Sequence, residues 1–454
     1  MDWRDMSFLK AGRRAFAIAS VSAALLFNGA VPAAAQRISI ISDAETENML
    51  RDYADPILKA AGLDPGAVKL HLVNDQSLNA FVAEGQQMFV NTGLITIVDT
   101  PSELKGVIAH ETGHMSGGHL VKRREEFENM SVPMIASMIL GVGAIAAGSG
   151  DAGMALIMGS QHLAQRSLLA FTREQEASAD QAGATFLQRA GLSGKGMLDL
   201  FSSMRDQELL SAERQDPFVR SHPLSGARLS ALESRVKESP YFERADTPAD
   251  LHRFKMVQAK LYGFLDDPNV TFNRYPPSDN SEYAHYARSV AYHRTGQLDK
   301  ALAELVPLLE KEPKNPYIWE VKGQIMFESG KTEDAITAYR QAVKLLPDPQ
   351  LHLGLGRALL AREDKASAEE AVAELQAATE GGEHAFGYYQ LSIAYGQLDN
   401  IAMAELSTAQ YYDALGAVKD AKVHATRAQK LLKTGSPEWL KAQDIAMQAA
   451  PQRG

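Results

Sequence analysis

The stretch TPSELKGVIAHETGH, Thr100 to His114, opens on a helix start and ends on two histidines four residues apart. Thr100 followed three residues later by Glu103 has the form of a capping box, and Pro101 suits the first helical position. Leu104, Val107 and Ile108 then give the helix an apolar face. Residues four apart on a helix point the same way, so one metal ion can take both His110 and His114. Glu111, between them, can reach a water beside that metal. With 12 His in 454 residues, chance supplies such a HExxH about 0.02 times in a chain of this length, so the motif is read as the centre of a metal-dependent hydrolase.

A zinc hydrolase needs three protein ligands and an open position. His119 is nearest in sequence, but on a continuous helix it lies about 140° around from His114 and points away. The pattern HExxHxxGxxH fails too, because residue 120 is Leu. The better third ligand lies downstream in Arg173-Glu174-Gln175-Glu176-Ala177-Ser178-Ala179-Asp180. Glu176 and Asp180 share a helical face, so Glu176 can ligate while Asp180 holds the second ring nitrogen of a ligand histidine. Ala177, Ala179, Ala182, Gly183 and Ala184 let this helix approach the histidine helix closely. Gly113 costs that helix about 1 kcal/mol relative to alanine, which close packing at the metal would justify.

The surrounding chain is a globular protein long enough for two or three domains. A formal charge of -10 makes nucleic acid an unlikely partner. The chain has no cysteine, so thiolate zinc sites and disulfides are excluded. Residues 1–35 read as a cleavable signal segment: Arg4, Lys10, Arg13 and Arg14 make a basic start, an apolar middle follows, and Ala33-Ala34-Ala35 form the cleavage site. Arg13-Arg14 leaves the export route open between general secretion and the twin-arginine path.

Residues 36–245 read as a metalloprotease domain of mixed α and β, with helical spacing over 45–61 and strands at 68–73, 79–82 and 88–90. The strand at Asn79-Ala80-Phe81-Val82 is either a core hairpin arm or an edge to which an extended substrate adds. Between 127 and 170 the composition turns apolar, with an uncharged run from Val132 to Ala147 and a second from Ala152 to Met158. Both runs are short for a bilayer span; they predict a buried helical hairpin, or one that touches a membrane surface or an apolar substrate. Residues 246–281 read as a linker and capping helix. From 282 to 454 a period of 34 relates Gly296 to Gly330, Ala301 to Ala335 and Pro313 to Pro347, with Asp364 at the next step. With Tyr292, Trp319 and Gly323 this region resembles about four tetratricopeptide repeats, nine to ten helices whose concave face takes a peptide or partner protein.

HETGH with Glu176-Ala177-Ser178-Ala179-Asp180 resembles the HtpX-like and CaaX-prenyl-protease-like zinc metallopeptidases, whose pattern is HExxH followed by ExxxD. Asn79-Ala80-Phe81, and Ser221-His222-Pro223 with Arg228, match further motifs of that group. The resemblance implies an α+β, mostly helical fold: a zincin-like metalloprotease domain followed by an α-solenoid of tetratricopeptide repeats. It makes His110, His114 and Glu176 the ligands of one zinc ion per chain, Glu111 the base, and Asp180 and Arg228 supporting catalytic groups. His222 would either fill the fourth position at rest or donate to the oxyanion, and Arg228 would either steady the transition state or anchor its loop. The expected protein is periplasmic and cleaves unfolded or misassembled outer-membrane proteins. Its repeats would engage clients or the barrel-assembly machinery, with chaperone activity beside proteolysis. The alternative is a repeat chaperone or scaffold with a dormant cleft.

Overall fold

The computed structural model describes residues 39–146, 149–205, 207, 215, 217–381 and 384–448. The signal segment read at 1–35 lies outside them. A four-stranded sheet forms from β1 (Ile40–Ile41), β2 (Lys69–Val73), β3 (Ala80–Ala83) and β4 (Gln87–Asn91), in the order β1-β2-β4-β3. β2 and β4 run parallel, with Lys69 opposite Gln87, while β3 lies antiparallel on β4, with Ala80 opposite Val90. β3 is therefore an edge strand. α1 (Ala44–Ala60) presents Met49, Leu50, Tyr53, Ile57 and Leu58 to the core, a helical spacing that covers one face of the sheet.

After α2 (Thr92–Ile97), α3 (Pro101–Ser116) carries the histidines. Its capping box is present: the Thr100 hydroxyl accepts from the Glu103 amide, and the Glu103 carboxylate accepts from the Thr100 amide, each at 3.3 Å. The helix runs through the core, and every residue from Leu104 to His114 is buried. It ends at Gly117, and Gly118 takes a φ of 62° that releases the chain into a new helix, α4 (His119–Ala146).

α4 and α5 (Gly150–Arg189) form the helical hairpin expected from the apolar runs. The expectation of burial fails, however. Ile135, Ile139, Leu140, Val142, Met154, Leu156 and Met158 are all exposed, because the 40-residue α5, about 60 Å long, carries its first half beyond the sheet and core. No helix among the described residues is long and apolar enough to cross a membrane. The second half of α5 returns to pack on α3, where a Cβ on Gly113 would stand 2.6 Å from the Ala179 carbonyl oxygen and one on Gly183 3.0 Å from that of Ala109. The small residues thus bring the two helices into backbone contact. α6 (Lys195–Met204), α7 (Pro217–Ser221) and α8 (Gly226–Lys237) close the domain.

Residues 248–265 form α9 (Pro248–Leu265), followed by α10 (Pro268–Arg274). Phe254, Val257 and Leu261 of α9 join the first core, while Met256 and Ala259 join that of the repeats. Ten helices follow among the described residues: α11 (Glu282–Arg294), α12 (Leu298–Lys311), α13 (Pro316–Glu328), α14 (Thr332–Leu345), α15 (Pro349–Leu360), α16 (Lys365–Ala378), α17 (Ala385–Gln397), α18 (Ile401–Ala414), α19 (Val418–Leu431) and α20 (Pro437–Met447). Gly296 and Gly330 sit at positive φ in equivalent turns. At the next turn that position is Glu363, and Asp364 instead caps α16 by accepting from the Ser367 amide. The period therefore slips by one residue there.

Candidate metal centre

Four side chains from three elements meet in the core: His110 and His114 on α3, Glu176 on α5, and His222 just after α7. All four are buried. Nε2 of His110 lies 3.1 Å from Nε2 of His114 and 3.3 Å from Oε2 of Glu176, and Nε2 of His114 lies 3.3 Å from Oε1 of Glu176. Nδ1 of His222 stands 3.1 Å from Nε2 of His110 and 3.0 Å from Oε2 of Glu176. Zinc bonds of about 2.0–2.1 Å put the corners of a tetrahedron about 3.3 Å apart, so these donors have the spacing of a zinc site. One oxygen each of Glu111 and Glu176 is buried without a hydrogen-bond donor, a costly state that a cation relieves. The residues fit the ion.

The site is built for charge. Burial alone would depress His110, but the Asp180 and Glu176 carboxylates beside it raise its pKa to about 9. His114, with burial dominant, falls to about 3. Burial works against the Glu176 carboxylate, yet the three histidines hold it well below the usual range. Glu111 moves the other way, because burial outweighs its neighbours and pushes the carboxyl up.

The surrounding contacts orient the donors. Asp180 Oδ1 accepts from Nδ1 of His110 at 3.0 Å, leaving Nε2 for the metal. Arg228 grips Asp180 through Nε and Nη2 at 2.7 and 2.8 Å, reaches Glu176 at 3.3 Å, and donates to the Pro223 carbonyl. It ties the His222 loop to the ligand helix, the loop-anchoring alternative. His119 corrects the continuous-helix reading. The break at Gly117 and Gly118 folds it back, and its Nδ1 stands 3.0 Å from Nδ1 of His114. It stands outside the cluster of four and meets it through the far ring nitrogen of His114.

His222 faces two ways. Nδ1 takes the fourth corner, while Nε2 lies 3.4 Å from Glu111 Oε1. Phe218, four residues earlier, packs its ring 4.7 Å from the imidazole, and Phe201 meets His110 edge-on at 5.5 Å. These two rings were not foreseen, although Phe218 and His222 have the one-turn spacing that would have paired them. On the other side the Val82 main chain of β3 reaches the Glu111 carboxylate. The edge strand thus borders the site.

Residues 44–236 match the model of Peptidase family M48, and residues 286–348 and 321–383 match that of the tetratricopeptide repeat. The beta-barrel assembly-enhancing protease of Yersinia pestis is 28% identical over 304 residues, covering 66% of this chain and 62% of that protein. Its namesake from Escherichia coli (strain K12) is 27% identical over 299 residues, covering 64% and 60%. Metalloprotease LoiP of the same strain is 27% identical over 179 residues, covering 38% and 63%. The chain thus spans about 60% of the length of the first two relatives. By these matches residues 44–236, which contain the cluster of His110, His114, Glu176 and His222, form a Peptidase family M48 domain, and C-terminal tetratricopeptide repeats follow it.

Proposed function

We propose that this chain is a zinc metalloendopeptidase held closed at rest by His222. The observation that carries the reading is the tetrahedral spacing of His110, His114, Glu176 and His222 beside the buried Glu111. The first three residues would hold one zinc ion per chain. When bound, zinc supplies a Lewis acid that acidifies water and polarises a scissile carbonyl. Glu111 takes the water proton and passes it to the leaving amine. Asp180 holds His110 in the tautomer that leaves Nε2 free, and Arg228 holds Asp180. An extended substrate would pair with the open edge of β3, next to Glu111. His222 has to leave first, because its two nitrogens fill the fourth corner and the space at Glu111.

The clients proposed are unfolded or misassembled outer-membrane proteins in the periplasm. The names of the relatives and the signal-like residues 1–35 support this. The repeats would bind clients or the barrel-assembly machinery, and the exposed apolar hairpin would rest on a membrane surface. The test uses casein and zinc content. Glu111→Gln is expected to keep zinc and lose cleavage, whereas retained cleavage overturns the assignment. His222→Ala is expected to cleave faster than wild type. The closed corner also favours a second reading, a repeat chaperone with a dormant cleft, and a His222→Ala chain that binds zinc but stays inert would favour it.

A further inference from the structure

A row of aromatic side chains crosses the sheet and ends at its open edge. Strand residues alternate between faces, so Leu72, Ala80, Met88 and Val90 enter the core while His71, Phe89 and Phe81 stand on the opposite face. The register sets these three directly opposite one another on β2, β4 and β3. His71 stacks on Phe89 with ring centres 4.7 Å apart, and Phe89 stacks on Phe81 at 4.8 Å with the planes 9° from parallel. Neighbouring strands lie about 4.7–4.9 Å apart, so the rings repeat with the sheet itself.

The row is held at one end and open at the other. His71 is tied to Gln87 at 3.1 Å, and Phe89 is buried. Phe81 is half-buried, and among the described residues no strand pairs with the far side of β3 and no ring stacks beyond Phe81. Aromatic pairs across strands stabilise a sheet by themselves, which accounts for the two inner contacts. An open edge ordinarily carries charge or proline to discourage an added strand. β3, with the sequence Ala-Phe-Val-Ala, carries neither. Ala83, on the same face as Phe81, is small, so the edge offers one ring at one register position.

We propose that Phe81 is a specificity residue, taking an aromatic side chain of the substrate strand as the fourth ring of this row. Val82 follows it, and the Val82 main chain reaches Glu111, so the substrate ring would stand at a fixed distance along the chain from the bond to be cut. The ligand is an extended polypeptide with an aromatic residue in strand conformation, and strands of membrane barrels carry such rings in their girdles. The proposal rests on the reading of this chain as a zinc endopeptidase with β3 as the substrate edge, and it names the side chain that the edge selects.

The test uses the full chain loaded with zinc, as wild type and as His222→Ala, and quenched fluorescent ten-residue peptides. One variable residue, phenylalanine, cyclohexylalanine or leucine, is walked along an otherwise fixed sequence of small and polar residues, and each cut is located by mass spectrometry. Phenylalanine is expected at one fixed distance from the cut. There its kcat/KM is expected to exceed those of cyclohexylalanine and leucine about two- to tenfold, the scale of one aromatic pair. Phe81→Leu is expected to bring that ratio to about one and Phe81→Tyr to keep it. Each ratio is taken within one variant, so a change in the folded or zinc-loaded fraction cancels. Phe81→Val, also ringless and suited to a strand, repeats the measurement if Phe81→Leu does not fold. Equal cleavage of the phenylalanine and cyclohexylalanine peptides, a cut that does not follow the ring, or a ratio that survives in the ringless variants overturns the proposal. Casein separates it from the reading beneath it. If casein is cut and the ring preference is absent, only the assignment of Phe81 falls. If neither wild type nor His222→Ala cuts casein, the endopeptidase reading falls and the proposal falls with it.

Discussion

Asp180 meets the cluster of His110, His114, Glu176 and His222 through the far ring nitrogen of His110. Its Oδ1 accepts a hydrogen bond from Nδ1 of His110 while Arg228 holds both of its oxygens. Asp180→Asn keeps the volume but presents an amide that can face His110 with a donor. Zinc affinity is expected to fall about 10- to 100-fold, read by competition with a chromogenic chelator; unchanged affinity would show that packing alone orients the ring. The five residues His110, Glu111, His114, Glu176 and Asp180 were legible in the sequence because helix geometry turns a spacing of four into a shared face. His222 was reachable only through resemblance, since no local rule places a loop against a distant helix. His119 was misjudged for a local reason: Gly117 and Gly118 end the helix, so extrapolating its phase past them fails.

Among the elements, the approach of α3 to α5 decides whether the site assembles. Alanine at 113 would gain about 1 kcal/mol of helix propensity but drive its Cβ to 2.6 Å from the Ala179 carbonyl, an overpacking that costs about 1–3 kcal/mol. Backbone is there, so the clash cannot be relieved by a side-chain turn. Gly113→Ala is expected to lower the melting temperature and loosen zinc binding, whereas Gly159→Ala, on the same α5 with nothing within 4 Å of its Cβ, is expected to leave zinc binding alone and hold or raise stability. Equal effects at the two positions would remove the close-contact argument. The hairpin of α4 and α5 was legible as helices but not in its burial, because apolar runs alone do not reveal whether anything packs against them. Its exposed Ile139 and Leu140 give a direct check of surface contact. Wild type is expected to float with phospholipid vesicles and the double aspartate variant to stay behind; equal flotation would exclude the hairpin as the contact.

At the scale of the molecule, the peptidase domain and the repeats share a buried polar joint. Lys260 of α9 is fully buried among Asp43, Glu45 and Glu320, and the Tyr286 hydroxyl donates to Glu45 at 2.8 Å. The 34-residue period made the repeats legible, but this joint was not, because a lysine inside an apolar helix reads as a solvent marker until its partners from two distant segments are in place. Burial, opposed by Lys260, raises the Glu45 carboxyl to about 7. A folded pKa above the ordinary 4.5 means that the stabilising contribution is complete below about pH 4.5 and is lost as pH rises through 7. Other groups at the joint titrate too, Glu47 in the same direction and Asp43 in the opposite one, so the wild-type curve alone is ambiguous. Glu45→Gln isolates the effect, since the amide oxygen still accepts from Tyr286 and carries no proton equilibrium. From pH 5 to pH 8 wild type is expected to lose on the order of 1–3 kcal/mol relative to this variant, measured as urea unfolding at each pH. Parallel stability curves would mean that Glu45 stays neutral or is fully paired throughout, and the joint would then be insensitive to pH at this position.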